Sequence, residues 1–261
     1  MCRLLGGALA CPVNSGVRPT MKPVRDFAKQ LENLELEATV IANYVYAEWA
    51  MHHAASKSKK LLSVLNRTPT IWKTIHASLQ TSAYLALGRV FDLKSPYNIE
   101  ALLASMELDI AVFSTSSLGI RKASSGFSDP TKLRTYLSTA HALTRDDIGK
   151  LRRAVKRRRD VYDRAIMPVR HQYLAHRQAH RGSAQALYAK GKVKEMWQLS
   201  RFLQHFYNQL WMLYHNGHKP ELRGAPRYSP KIMYDKPSPE SGPQERTVRD
   251  VRELMNILRS A

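Results

Sequence analysis

The chain has 261 residues, with 41 Lys and Arg against 21 Asp and Glu, a formal net charge of +20. That length can bury a sizeable core, and one domain with extensions is the expectation. The charge suits a polyanionic partner, nucleic acid before membrane; a solvated basic surface with no dedicated ligand is the plainer alternative. Two cysteines, Cys2 and Cys11, exclude a disulfide framework and a Cys-rich zinc site, and the rest of the chain gives no sign of an oxidising compartment. No apolar run approaches the ~20 residues of a membrane helix, so a cytoplasmic protein is expected.

Residues 1–20 read as a disordered leader, or as translated sequence upstream of a start at Met21. Arg3 before an apolar stretch ending at Cys11 imitates a lipoprotein signal only faintly. A first long helix is expected over about 22–56. Phe27, Leu31, Leu34, Ala38, Ile41 and Val45 recur at alternating spacings of four and three, and Glu48 or Trp49 and then His52 continue the phase. Thr68-Pro69 is an N-cap and first-turn pair for a second helix, which runs to about Phe91 through Trp72, Ile75, Leu79, Ser82 and Leu87. His52, His53 and His76 read as partly buried or surface histidines, because no carboxylate or Cys partner stands close in sequence.

Asn98 is placed to cap a short helix through Leu102, Leu103 and Met106. Serines break any period over 107–127, which predicts a short helix and then a loop. Asp129-Pro130 opens a further short helix to about Ala142. Thr144-Arg145-Asp146-Asp147 fits a capping box. From there Ile148, Leu151, Val155, Tyr162, Ala165 and Val169 keep one stripe. Arg152, Arg153, Lys156, Arg157 and Arg159 fall mostly off it. They form either a solvated face or a surface for a nucleic-acid backbone.

The last long helix is expected over about 192–214, with Val193, Met196, Ser200, Leu203, Tyr207, Leu210 and Tyr214 as its stripe. Trp197, Phe202, Phe206 and Trp211 widen that stripe, which predicts burial on more than one side or a dimer surface. Residues 216–243, with six prolines, read as a Pro-rich arm. Residues 244–261 carry a short amphipathic helix with Val248, Val251, Leu254, Met255 and Leu258 on its apolar face. Nothing reads as a strand. The fold class is all-α: a bundle of about four main helices with short connecting helices, its domain spanning 21–215.

Glycine-rich phosphate loops and the GxSxG elbow are absent. His176 and His180 have the spacing of a zinc-protease helix, but Arg177 stands where that motif needs a Glu, so neither a protease nor a metal site is expected there. The stretch Pro168-Val169-Arg170-His171-Gln172-Tyr173-Leu174-Ala175-His176-Arg177 is the strongest candidate. Six helical residues span about 9 Å of rise and about 240° of rotation, so one straight helix does not aim Arg170 and His176 at one point. A kink at Pro168, or a second copy of the helix across a two-fold axis, would reunite them. His176 keeps the apolar phase, seven residues after Val169; a histidine satisfied by a backbone carbonyl is the plainer reading.

Arg170-His171-xxxx-His176 resembles the Arg-x(4–6)-His signature of the HEPN superfamily. Tyr173-Leu174-Ala175-His176-Arg177, and Leu87-Gly88-Arg89-Val90-Phe91-Asp92 followed by Asn98-Ile99, are similar to abortive-infection, AbiU-type HEPN proteins. Gln178 departs from the Asp common in that family. The resemblance covers about residues 25–215. It implies a helical, HEPN-like domain that dimerises and acts as a metal-independent endoribonuclease of a phage-defence or toxin-type system, with no cofactor. RNA, a second copy and an antitoxin or defence partner would be its partners, with no membrane. The resemblance assigns phosphate stabilisation to Arg170 and acid/base work to His176, with His171, Tyr173 and Arg177 in support. Arg152, Arg153, Lys156, Arg157 and Arg159 are the candidate nucleic-acid contacts, and Arg89 and Asp92 are expected to pair with each other. The alternative is a non-catalytic HEPN module that binds RNA, a nucleotide or a partner protein.

Overall fold

The structure, a computed structural model, describes residues 26–171, 193–222, 230–236 and 242–260. These residues form helices and short connectors, with no strand among them. In chain order they are α1 (Phe27–Lys57), α2 (Lys59–Asn66), α3 (Pro69–Phe91), α4 (Ile99–Leu108), a 3₁₀ turn (Ile110–Phe113), α5 (Thr115–Ser124), α6 (Pro130–Thr139), α7 (Arg145–Ala165), α8 (Met167–Val169), α9 (Val193–Asn216), α10 (Pro230–Asp235) and α11 (Pro243–Ser260). None of the described helices is long and apolar enough to cross a membrane.

Helix α1 is the spine of the bundle, and α3, α9 and α11 all pack on it. Its stripe is buried as the spacing predicts, from Phe27 through Leu31, Leu34, Ala38 and Ile41 to Val45. That face meets Leu87 and Phe91 of α3, Leu103 of α4, Leu151 and Val155 of α7, and Leu203, Phe206 and Leu210 of α9 in one apolar core. A second face of α1, built on Ala42, Tyr46 and Ala50, is covered by Met233 of α10 and Val248 of α11. Near its C-terminal end, Met51 and Ala54 pack with Leu61 and with Met255 of α11. Helix α9 is buried on a broad face, through Leu199, Phe202, Phe206 and Leu213 beside the expected stripe, while Trp211 stays exposed.

Local signals explain most helix starts. Asp26, Asn98, Ser114 and Asp129 each accept hydrogen bonds from backbone N–H groups of the turn they open. The Thr144–Asp147 capping box forms in full. Thr68 departs from expectation and makes no side-chain cap bond; Pro69 alone starts α3. The stretch 107–127 holds the expected short helix and then a loop: Ser114 accepts from the Ser117 N–H at 3.2 Å and opens α5, which ends at Ser124. Within the proline-rich span, Pro230 opens α10 and Pro243 opens α11.

Candidate functional site

Helix α7 stops at Ala165, and the chain turns at Ile166 before the short α8 resumes. Pro168 lies in that first turn, where its missing N–H costs no hydrogen bond. The interruption places Arg170 against the last turn of α3, its N–H bonded to the Ile166 carbonyl at 3.0 Å. The guanidinium lies directly over Gly88. A Cβ at that glycine would stand 2.6 Å from Nε and 2.7 Å from Cζ, so no other residue admits the arginine there.

Arg170 Nη1 donates to Asp92 Oδ2 at 2.8 Å and to the Tyr162 hydroxyl at 3.1 Å. Arg170 and Asp92 are half-buried, at 24% and 23% side-chain exposure. Burial opposes the charge on Asp92, but the Lys94 N–H and the Arg170 guanidinium outweigh it and hold the carboxyl below its ordinary value. Burial also opposes the charge on Arg170, yet Asp92 and Tyr162 raise its pKa further. Tyr162, stacked on Phe91 with centroids 5.4 Å apart, has its pKa raised by burial. The expected pairing of Arg89 with Asp92 is not made. Arg89 turns to α1 and grips Glu37 in bidentate fashion, with Nη2–Oε2 at 2.9 Å, and Asp92 is left for Arg170. Asp92 is the extended residue that follows α3, so the helical i,i+3 geometry that would pair it with Arg89 is not formed.

Arg170, Gly88, Arg89, Asp92 and Glu37, with the Lys94–Tyr97 turn, surround a cleft of about 360 Å³. His171 follows Arg170 and is exposed. Tyr173, His176 and Arg177 lie outside the described residues. On α7, Arg152 pairs with Glu107 at 2.7 Å and Arg159 with Asp163 at 3.6 Å. Arg153, Lys156 and Arg157 are exposed and form no salt bridge among the described residues. Lys150, Arg153, Arg157 and Lys219 line a groove of about 560 Å³ between α7 and the chain after α9.

The model of a protein family described as AbiU2, one of the HEPN families, matches residues 25–228. The chain belongs to the AbiU2 family of HEPN proteins. No curated protein and no solved structure gives a significant match. The matched span includes every helix that shapes the Arg170 cleft and excludes α10 and α11.

Elsewhere in this AbiU2-family chain, His52 of α1 and His76 of α3 share a carboxylate partner that the sequence reading overlooked. Glu48, four residues before His52, is 2% exposed. Its Oε1 accepts from His52 Nε2 at 3.1 Å and from Gln80 Nε2 at 2.9 Å, and its Oε2 accepts from His76 Nδ1 at 2.7 Å. The signal was two i,i+4 pairs, Glu48/His52 and His76/Gln80, on helices that pack together.

Proposed function

We propose that this chain is an RNA endonuclease of a phage-defence or toxin-type system, working without a metal through Arg170 and His176 in a homodimer. The observation that carries the proposal is Arg170, fixed at the edge of an open cleft by an ionised carboxylate and a tyrosine hydroxyl. A guanidinium oriented in advance loses little freedom when it meets a phosphate, and its fork of donors matches two phosphate oxygens. Nη1 is engaged inside, so Nη2 and Nε are the atoms for that contact.

The reaction needs one proton taken and one given. A neutral His176 withdraws the 2′-hydroxyl proton, and the 2′-oxygen attacks the adjacent phosphorus. The bond from phosphorus to the 5′-oxygen breaks, and the partner subunit's His176, protonated, supplies the proton that the leaving oxygen takes. The products are a 2′,3′-cyclic phosphate and a 5′-hydroxyl. Arg170 balances the charge that develops on the non-bridging oxygens. Arg153, Lys156 and Arg157 draw the RNA backbone along α7 toward this point.

A second reading, a module that binds RNA or a partner protein without cutting, draws on the same geometry, since the Arg170 charge is already balanced by Asp92. Incubation of RNA with the purified chain in EDTA separates the two. Cleavage to 2′,3′-cyclic ends that is lost in both Arg170→Ala and His176→Ala, with a dimer by light scattering, is the expected result. Salt-sensitive binding with no cleavage supports the second reading, and neither binding nor cleavage overturns the nuclease and every reading in which RNA is the ligand.

A further inference from the structure

The Glu48 cluster has no part in the cleft chemistry. It lies on the same two helices, but Glu48 is about 16 Å along α1 from Glu37, at 1.5 Å per residue. Its composition is nevertheless that of a ligand set. Glu48, His52 and His76 each offer one ligand atom, and these atoms lie within 4.8 Å of one another. We propose that Glu48, His52 and His76 form a binding site for a divalent transition-metal ion of the zinc type, which ties α1 to α3.

The buried carboxylate makes the case. Two imidazoles and the Gln80 amide satisfy its lone pairs, yet no lysine or arginine pairs with it among the described residues. A carboxylate taken out of water needs a counter-charge close by. A divalent ion held by these three ligand atoms supplies it directly. Two imidazole nitrogens and one carboxylate oxygen are the donors that zinc, cobalt and nickel ions prefer, whereas magnesium and calcium prefer oxygens alone. Gln80, bonded to Glu48 Oε1, then plays the part of the outer partner that orients a ligating carboxylate.

The required movement is small and falls on the side chain most able to make it. Bonds of about 2.0–2.2 Å to a tetrahedral ion place ligand atoms roughly 3.3–3.6 Å apart. Glu48 Oε1 and His52 Nε2, at 3.1 Å, are near that spacing, and Glu48 Oε2 and His76 Nδ1, at 2.7 Å, must part by less than 1 Å. The rings of His52 and His76 stack with centroids 4.3 Å apart and planes 23° apart, so one ion cannot lie in both ring planes as they stand. His52 is 62% exposed at its side chain and is free to turn its ring outward, while His76 and Glu48 move apart by less than 1 Å. The open side of His52 is also the route by which the ion enters, and it leaves a fourth position for water.

The test uses the full chain without an affinity tag, stripped with EDTA and returned to chelator-free buffer at neutral pH. Titration with Zn2+ is expected to raise the unfolding temperature by several degrees. Co2+ is expected to give visible absorption of a low-symmetry four- or five-coordinate site. His52→Ala, which alters an exposed side chain, and Glu48→Gln, which keeps the shape and removes the charge, are expected to weaken binding ten-fold or more. His176→Ala and His180→Ala are expected to retain it. Equal affinity in wild type, His52→Ala and Glu48→Gln, or an equal response to Mg2+, overturns the site. So does the absence of a cobalt spectrum with the wild-type chain.

Discussion

Gly88→Ala probes the seat of Arg170 without touching any charged group. Two opposing effects are at work. Alanine in a helix interior is favoured over glycine by roughly 0.5–1 kcal/mol. Against that, the new methyl would stand 2.6–2.8 Å from three atoms of Arg170, which must swing away from Asp92 and Tyr162. The pair is half-buried, so its loss ranks between an exposed ion pair and a buried one, about 1–3 kcal/mol. In the wild-type background the substitution therefore ranges from neutral to destabilising by about 2 kcal/mol. In an Arg170→Ala background the space is vacant and only the helical gain remains, so the same change stabilises by up to ~1 kcal/mol. The two values differ by a coupling of about 1–3 kcal/mol, measurable by urea unfolding of the wild type, both single variants and the double variant. If Gly88→Ala shifts stability equally in the two backgrounds, to within about 0.5 kcal/mol, the guanidinium does not rest on Gly88 and the account of the site fails. Where RNA is cut, Gly88→Ala lowers cleavage as well, because it displaces the phosphate-binding group.

Acid should weaken the fold through Glu48. Burial opposes its charge, but bonds from His52 and His76 outweigh it and lower its pKa from 4.5 to about 2. The stabilisation is present in full above the unfolded value of 4.5 and is lost as pH falls through about 2, on the order of 3–4 kcal/mol at most at ~1.4 kcal/mol per pH unit. Chemical denaturation across this window should show a shallower decline for Glu48→Gln, and parallel curves would refute the assignment. His52 acts in the opposite sense: its bond to Glu48 raises its pKa above 6.5, so its contribution is present below 6.5 and fades as pH rises through the raised value. Thr144→Ala removes the side chain that accepts from the Asp147 N–H and should cost about 1–2 kcal/mol by thermal unfolding, with Thr144→Ser close to neutral.

The bundle was legible because its helices carry one-sided stripes of long sequence range. The periodic apolar residues of α1, α7 and α9 needed only their spacing to declare a buried face. The Asn98 and Thr144 caps were legible for a similar reason: a cap is a local bond within three residues. A kink at Pro168 was one of two alternatives, and the chain does break nearby, at Ile166; Arg170 was singled out by its spacing to His176. What failed was pairing across the chain. Arg89 and Asp92 look like partners at a separation of three, yet each finds a better one on another helix, and sequence alone does not say which helix arrives. Glu48 was read as one more residue on an apolar phase, and its meeting with His76, 28 residues on, depends on how α1 and α3 lie together.

The cover that α11 provides over α1 has a consequence for synthesis. The face built on Ala42, Tyr46 and Ala50 leaves the ribosome early, and Val248 and Met255, which close over it and its neighbour Met51, leave about 200 residues later. At ~5–20 residues per second that interval lasts about 10–40 s. Until α10 and α11 follow, this part of α1 lacks its cover even after α9 has joined the bundle. A nascent chain of this protein is therefore a natural client for ribosome-bound chaperones, and a stalled or truncated product is a natural substrate for degradation.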